Sequence, residues 1–515
     1  MASLLPVIAI CGTTGVGKSK LAIELALKLS EKSDCHGWKG GVVINADAMQ
    51  AYKGFNTITN KVPLGERAGV DHVLMDFKEP TEQYVVGQWI HDATRAISDA
   101  HGSEKVPIVV GGTAYWIQHL VFPGRLAVEP EQVSCPDSSP SAGSKRPLDG
   151  LSSALSQATT DLRELFDALP EAPPSAADNP SAALALYNLL QALDPPVAAR
   201  WHWRDTRKVL RNLDIMKESG KKVSEILQEQ SAVALSPRYD TLCLWLYAEP
   251  TELRRRLNTR ADEMLCNGLL DEVRELTRLQ GSPNQDSSDT MAPSPINFTH
   301  GVFQSIGFRE FHQYLADPSP SETKYQVAIQ NLKTANYQYA KRQVSWIRNK
   351  LLPTIRASKS SEESKAVEIY LLDATDTDSE PRQWTSEIRD VANSLMEAFL
   401  RRDSLPDPLT LSSVAQRMLS VPTKATDPTA VLLARRKILC PACTVDETLP
   451  VMIEEGPEWE RHARTKVHKR LAAKKAEGRK PVDTPPGKGK GDRTCGDLIG
   501  NADDPTASLN APFGT

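Results

Sequence analysis

The chain has 515 residues, 40% of them hydrophobic and 24% charged, with a formal net charge of -4 at pH 7. That composition is ordinary for a soluble globular protein, the length leaves room for two to four domains, and no stretch approaches the roughly 20 apolar residues of a membrane span. The average charge argues against nucleic-acid binding, but basic residues are concentrated locally.

The first strand starts by Val7, which leaves no room for a secretory signal or a typical transit peptide. Of the eight cysteines only Cys440 and Cys443 form a close pair, and the rest are scattered as in a reducing compartment. A cytoplasmic protein is expected, with mitochondrial and nuclear pools left open.

Residues 7–11 form an apolar run that predicts a buried strand, and an amphipathic pattern with Leu21, Ile23, Leu25 and Leu27 predicts a helix after it. Between them Gly12, Thr13, Thr14, Gly15, Val16, Gly17, Lys18 and Ser19 fit the phosphate-loop pattern G-x-x-x-x-G-K-[ST] at every fixed position. The glycines let backbone N–H groups surround phosphate oxygens. Lys18 then neutralises charge, and Ser19 is the candidate ligand for Mg²⁺ on the phosphates. A pyrophosphate or polyphosphate site is expected here; the loop does not say what is done with it.

Further strands are predicted at 42–45 and 106–110, alternating with helices, so residues 1–123 read as the first part of a parallel α/β core. Asp47 lies just past one strand end, where doubly wound sheets bind ligands. It reads equally as a proton acceptor facing the phosphate-bearing substrate and as a helix N-cap. Val109-Val110-Gly111-Gly112-Thr113 repeats the pattern, and Thr113 is expected to cap a helix or to point its hydroxyl into the site.

From 124 to 184 the composition shifts to Pro, Ser and Ala, which predicts a flexible low-complexity insertion in which Leu162, Leu165 and Leu169 can make one short helix. Residues 185–236 read as a helical region, with Asp205 a candidate N-cap and Gly220 a helix stop. The core resumes over 237–402, with a strand at 241–247, a helix near 250–267, a polar insertion at 281–295, a long helix over 323–351, a strand at 366–372 and a helix at 382–401. Residues 403–433 read as a linker, 434–480 as a basic finger and 481–515 as a disordered tail.

Three basic stripes stand out: Arg254, Arg255, Arg256 and Arg260 on one helix; Arg204, Arg207, Lys208 and Arg211 beside Trp201, His202 and Trp203; and Lys333, Lys341, Arg342, Arg348 and Lys350 with Tyr and Trp interleaved. Arg256 and Arg260 share a helix face, and an arginine there suits a leaving pyrophosphate. Any one stripe can be a solvated face. Several in one chain favour RNA, through phosphate contact and base stacking.

Cys440-Pro441-Ala442-Cys443 is followed after 18 residues by His462 and after five more by His468. Two thiolates and two imidazoles close a tetrahedral structural Zn²⁺ site. The gap exceeds the usual dozen or so residues, and a hairpin loop near 454–457 is expected to take up the excess. Residues 461–480 hold nine Lys or Arg and one Glu, so the finger is a candidate RNA-binding appendage.

Taken together these segments resemble the tRNA dimethylallyltransferase (tRNA isopentenyltransferase) family. They are GTTGVGKS at 12–19, INADAMQAYKGFNTITNK at 44–61, VDHVLMDF at 70–77, VVGGTAYWIQHL at 109–120, HWRDTRKVLRNLDIMKESGKKVSEI at 202–226, RLNTRADEML at 256–265, FQSIGFREF at 303–311 and TANYQYAKRQVSWIRN at 334–349. The finger, with Trp459 three residues before His462, is similar to the matrin- or U1-like finger of eukaryotic members.

The resemblance implies a P-loop NTPase-like parallel sheet with a helical insertion domain and a small C-terminal zinc finger. It implies transfer of a dimethylallyl group from dimethylallyl pyrophosphate to N6 of adenosine 37 in tRNA. A monomer with no membrane association is expected. In this family the phosphate loop binds the donor's pyrophosphate. Lys18 and Ser19 match the pyrophosphate and Mg²⁺ positions, Asp47 the acid that holds the adenine N6, Thr113 a site threonine, and Arg260 an arginine on the pyrophosphate. Asp47, Ala48, Met49 and Gln50, the Arg207, Lys208 and Arg211 stripe, and Gln304, Ser305, Ile306, Gly307, Phe308 and Arg309 match tRNA-contacting segments. Position 114 is Ala where many members carry Asn, so any contact from that side chain is missing.

Three other readings share the loop. A P-loop small-molecule kinase has only Val73-Leu74-Met75-Asp76 as a second magnesium motif. A free-adenylate isopentenyltransferase leaves the RNA segments and finger without purpose. An RNA adaptor leaves Lys18, Ser19 and Asp47 without purpose.

Overall fold

The computed structural model describes residues 4–31, 37–126, 150–281, 298, 300–359, 367–377, 381–422 and 424–476. They divide into two compact units, one drawn from 4–124 and 235–424, the other from 125–234 and 425–476.

The first unit is built on a six-stranded sheet: β1 (Pro6–Gly12), β2 (Gly41–Asn45), β3 (His72–Val73), β4 (Val106–Val110), β5 (Asp240–Tyr247) and β6 (Val367–Asp373). The order is β3-β2-β4-β1-β5-β6, and every pairing is parallel. The central strands are apolar along their whole length because helices cover both faces; Ile8, Ile10, Val43, Ile108, Leu242 and Leu244 are fully buried. Helix Lys18–Ser30 lays Leu21, Leu25 and Leu29 on this core, and helix Asp390–Arg401 adds Leu395 and Met396. The two-residue β3 escaped sequence reading, because so short a strand leaves no alternation to detect.

Glycines set the spacing at the carboxyl edge. A Cβ on Gly111 would lie 2.1 Å from the Ala46 carbonyl, and one on Gly12 would lie 2.3 Å from Leu246 O. Only glycine lets these strand ends approach so closely. Ala46 N–H donates to Val110 O (2.8 Å) and Thr113 N–H to Ala46 O (3.2 Å), which draws the loops after β2 and β4 together.

The second unit corrects two expectations. Residues 150–184 hold three helical segments where one short helix was expected: Gly150–Gln157, Thr160–Asp167, which carries the expected Leu162 and Leu165, and the start of Pro180–Leu193, with Pro180 at its first turn and Asn179 accepting from Ala182 N–H. Leu186, Leu189, Leu190 and Leu193 recur on one face and pack with Trp201, Trp203, Leu210, Leu213 and Met216, while Leu151 and Phe166 join the same core. Composition suggested flexibility because Pro, Ser and Ala dominate, but a few leucines and one phenylalanine suffice to anchor the helices.

The linker 403–433 is also structured. Tyr370 Oη donates to Pro406 O (2.7 Å), and Leu405 and Leu411 pack on the sheet core. Helix Pro428–Leu433 puts Leu432 into the helical core of the second unit. In that unit the finger hairpin, β7 (Lys437–Leu439) antiparallel to β8 (Met452–Glu454), joins the helices directly. Lys437 N–H donates to Ala199 O, Trp203 Nε1–H donates to Pro450 O (2.7 Å), and Met452 enters the helical core. The finger is therefore part of the helical unit rather than a free appendage. The expectations for 281–295 and 481–515 fall almost wholly outside the described residues, as does 127–149.

Candidate active site

The carboxyl ends of β1, β2 and β4 bring three loops together: 12–19, 46–50 and 111–113. Gly15 and Gly17 sit in the left-handed region (φ 81° and 87°), so the loop turns back on itself and Lys18 opens the helix with backbone N–H groups aimed at the turn. A side chain at 17 would also strike the Trp384 ring at 2.6 Å. Lys18 Nζ donates to Thr13 O (2.6 Å).

Asp47 stands in the turn before the short helix Met49–Ala51 and is not its N-cap, which is Ala48. Its Oδ1 accepts from Met49 N–H (3.1 Å) two residues on, and its carboxylate lies close enough to Lys18 and Arg260 for charge interaction with each. The loop is fixed from beneath, since Asn45 Oδ1 accepts from Asp47 N–H (3.0 Å) and Asn45 Nδ2 donates to Asp47 O (3.0 Å) and Leu74 O (2.9 Å). Thr113 does not cap its own helix. Its Oγ1 accepts from Ala48 N–H (3.3 Å), tying the two loops together.

Arg260 and Arg256 separate cleanly. Arg260 reaches the phosphate loop and donates to Thr14 Oγ1. Arg256, one turn away, is buried against Thr375 O (2.9 Å) and Thr377 Oγ1 (3.3 Å) and serves the packing of its helix. Arg255 pairs with Glu252, and Arg254 lies over the Tyr337 ring.

Burial dominates the titration of these groups. It pushes the Asp47 carboxyl above the usual carboxylate range, against the opposing pull of Lys18, the Met49 N–H, Arg260 and the Gly112 N–H. It lowers Lys18 to about 8, partly offset by Asp47, and Arg260 to about 10, again partly offset by Asp47. One carboxylate and two cations thus share a recess with a glycine loop. Such a set can hold an anion, stabilise charge leaving on it, and accept a proton beside it.

Two residues of the site were missed. Gln343, 329 positions from Thr14, accepts from Thr14 N–H (3.1 Å) and donates to Gly112 O (3.0 Å). Tyr339, one helical turn before it, hydrogen-bonds with both Thr113 and Gln343. Their spacing of four on the long helix Glu322–Trp346 was a signal for a shared face, but not for what that face meets.

The RNA-matching residues are dispersed. Met49 and Gln50 border the recess, and Gln50 Nε2 donates to Thr59 O and Asn60 O. Ser305 and Phe308 are buried, Phe308 among Phe298, Phe303 and His312. Gly307 turns the chain at φ 118°, and the exposed Arg309 lies over Phe298. Gln304 donates to Gly301 O, and Ile306 is half-buried. Arg207, Lys208 and Arg211 belong to the second unit, where Lys208 sits over Trp201 (4.6 Å) beside Asp205, Arg211 pairs with Glu218, and Arg207 is exposed. Asp76, the second magnesium candidate of the kinase reading, is held by Lys61 (2.6 Å) and Gly54 N–H.

In the second unit Cys440, Cys443, His462 and His468 bring their ligand atoms within 4.8 Å of one another. The N···N and N···S edges run from 3.2 Å (His462 Nε2 to His468 Nδ1) through 3.3 Å (Cys440 Sγ to His462 Nε2) to 3.6 Å (Cys443 Sγ to His468 Nδ1). A tetrahedron with Zn–S of about 2.3 Å and Zn–N of about 2.0 Å has N···N and N···S edges of about 3.3 and 3.5 Å, so the four fit Zn²⁺. Cys440 N–H donates to Val451 O and Thr465 Oγ1 donates to His462 O, while the Trp459 ring flanks both histidines. The extra spacer length lies before β8, in residues 444–451. The expected loop at 454–457 is instead the end of β8 and the start of helix Pro457–Ala463.

The sequence profile of the IPP transferase family matches residues 50–350. A tRNA dimethylallyltransferase of Schizosaccharomyces pombe is 31% identical over 92% of the chain and 96% of its own length. One of Saccharomyces cerevisiae is 36% identical over 76% of each. A solved structure of a eukaryotic dimethylallyltransferase acting on tRNA aligns with a TM-score of 0.65 and 31% identity over 92% of this chain and 98% of that one. With a phosphate loop facing Asp47 in one unit and a Cys₂His₂ site in the other, the chain belongs to the tRNA dimethylallyltransferase family.

Proposed function

We propose that the chain transfers a dimethylallyl group from dimethylallyl pyrophosphate to N6 of adenosine 37 beside the tRNA anticodon, giving N6-isopentenyladenosine. Family membership carries the coarser statement, an enzyme that adds a dimethylallyl group to tRNA. The observation that supports the finer one is the opposition of Asp47 to Lys18, Arg260 and the glycine loop within one recess.

The adenine N6 is a weak nucleophile, because its lone pair is delocalised into the ring. Asp47 accepts its hydrogen bond and takes its proton as the C–N bond forms, and burial that raises the carboxyl's proton affinity suits that role. The allylic carbon gains positive character as pyrophosphate leaves. Lys18, Arg260 and the N–H groups of the loop stabilise the departing negative charge. Ser19 is the residue that would hold Mg²⁺, which when bound spreads that same charge. The target base must leave the anticodon stack to enter the recess. Arg207, Lys208, Arg211, Arg309 and the finger's cations supply phosphate contacts, and Zn²⁺ in the finger is structural. The protein acts as a cytoplasmic monomer.

The test is transfer from labelled dimethylallyl pyrophosphate offered with tRNA, AMP or no acceptor. Label in tRNA alone is expected. Equal labelling of AMP would point to a free-adenylate enzyme, and no labelling at all would refute the reading.

A further inference from the structure

Gln343 is buried, at 5% exposure, yet both ends of its carboxamide are engaged by backbone from separate loops. Oε1 accepts from Thr14 N–H in the phosphate loop, and Nε2 donates to Gly112 O beside Thr113. Tyr339 adds a link between Gln343 and Thr113, and Thr113 Oγ1 accepts from Ala48 N–H next to Asp47. A continuous chain of hydrogen bonds therefore joins the anion-binding loop to the loop that carries the proton acceptor. Space is tight as well: a Cβ on Gly112 would lie 2.5 Å from Gln343 Nε2.

The Thr14 N–H is one of the donors of a phosphate loop, and it serves one acceptor well. Gln343 Oε1 and a phosphate oxygen compete for it. We propose that Gln343 is a positioning residue that yields the Thr14 N–H to the donor's pyrophosphate while keeping Gly112 and Thr113 in register with Asp47. This rests on the reading of loop 12–19 as the pyrophosphate site. Binding of the donor then changes the hydrogen bonding of Gln343, and through Tyr339 and Thr113 it reaches the acceptor side of the recess.

The consequence runs against ordinary loss of a site residue. Gln343→Met keeps length and removes both hydrogen bonds. It frees Thr14 N–H, so the donor should bind more tightly, by roughly two- to tenfold, the scale of one neutral hydrogen bond. It also loosens Gly112 and Thr113, so kcat should fall. A fall in kcat together with a fall in KM is the signature of lost ground-state competition. Gln343→Glu keeps the acceptor at Thr14 but adds charge facing the donor, and should weaken donor binding. Gln343→Asn, one methylene shorter, cannot span both partners, and should shift binding in the same direction as Met by less; it decides the question if the Met variant does not fold.

The experiment is titration calorimetry of the full chain with inorganic pyrophosphate and Mg²⁺, paired with steady-state transfer to tRNA. Tighter pyrophosphate binding with lower kcat in the Met or Asn variant supports the proposal. Unchanged or weaker binding in the folded variant overturns it. Absence of pyrophosphate binding by the wild-type protein would instead overturn the assignment of the loop.

Discussion

In the sheet unit, the groups that meet in the recess come from far apart in the chain. Gln343 joins Thr14 across 329 positions and Gly112 across 231. In the other unit, all four metal ligands fall between residues 440 and 468. The recess is held by a buried parallel sheet whose apolar strands supply the folding energy, so its polar groups can be half-buried with shifted pKa values. The finger has only short strands, Lys437–Leu439 and Met452–Glu454, and packs on the helices of its unit; a metal bound at its four ligands would add the rest of its rigidity. Damage to the recess should therefore impair chemistry in a protein that stays folded, whereas damage to the finger should loosen structure with chemistry intact.

The largest effect should come from Asp47→Asn, which keeps size and loses basicity. Turnover should fall by about 10²–10⁴-fold, with donor binding nearly unchanged. Single-turnover transfer checks this, and turnover within a factor of about three of wild type would remove Asp47 from the role.

Lys18→Ala should weaken donor binding and slow the chemical step together, by about 10²–10³-fold in the rate, because the lysine meets the pyrophosphate before reaction and more strongly as charge develops. A change confined to tRNA affinity would break the assignment of the loop.

On the other side of the comparison, Cys443→Ser should release one zinc per chain and raise the tRNA KM by about tenfold or less, the scale of a few exposed ionic contacts. Donor binding and kcat should remain. Metal analysis by mass spectrometry checks the first part, and loss of donor binding would place the finger within the catalytic machinery.

The mildest probe is pH. Transfer needs Asp47 ionised, and burial raises its pKa, so the acid limb of kcat/KM should lie above the ordinary carboxylate range. It also needs Lys18 protonated. With that pKa lowered to about 8, activity should decline as pH rises through that region. Rate profiles across this range should show both limbs, and Lys18→Arg should move the alkaline limb upward.

The contrast also explains what could be read from sequence. The placement of Gly12, Lys18, Asp47 and Thr113 at the carboxyl ends of strands was legible because each sits where a strand runs into a loop, a pattern contained within a few residues. The four zinc ligands were legible for the same reason. Gln343 and Tyr339 were not, since a helix with basic and aromatic residues on several sides does not announce which face meets a sheet edge. Arg256 shows the converse: it shares a helix face with Arg260 but lies one turn further along, where Thr375 and Thr377 bury it. Residues 150–184 were misread because average composition outweighed the few leucines that anchor the helices. Phe308 and Ser305 match a tRNA-contacting segment as part of a block, and their burial in the structure is not visible in the motif.

The most direct test of the central claim is to map the product. Wild-type protein, Asp47→Asn protein and dimethylallyl pyrophosphate are incubated separately with unmodified tRNA, and the tRNA is digested and analysed by mass spectrometry. The expected result is one isopentenyl group on N6 of adenosine 37 with the wild type and none with Asp47→Asn. Modification at another position, or equal modification by both proteins, would contradict the account.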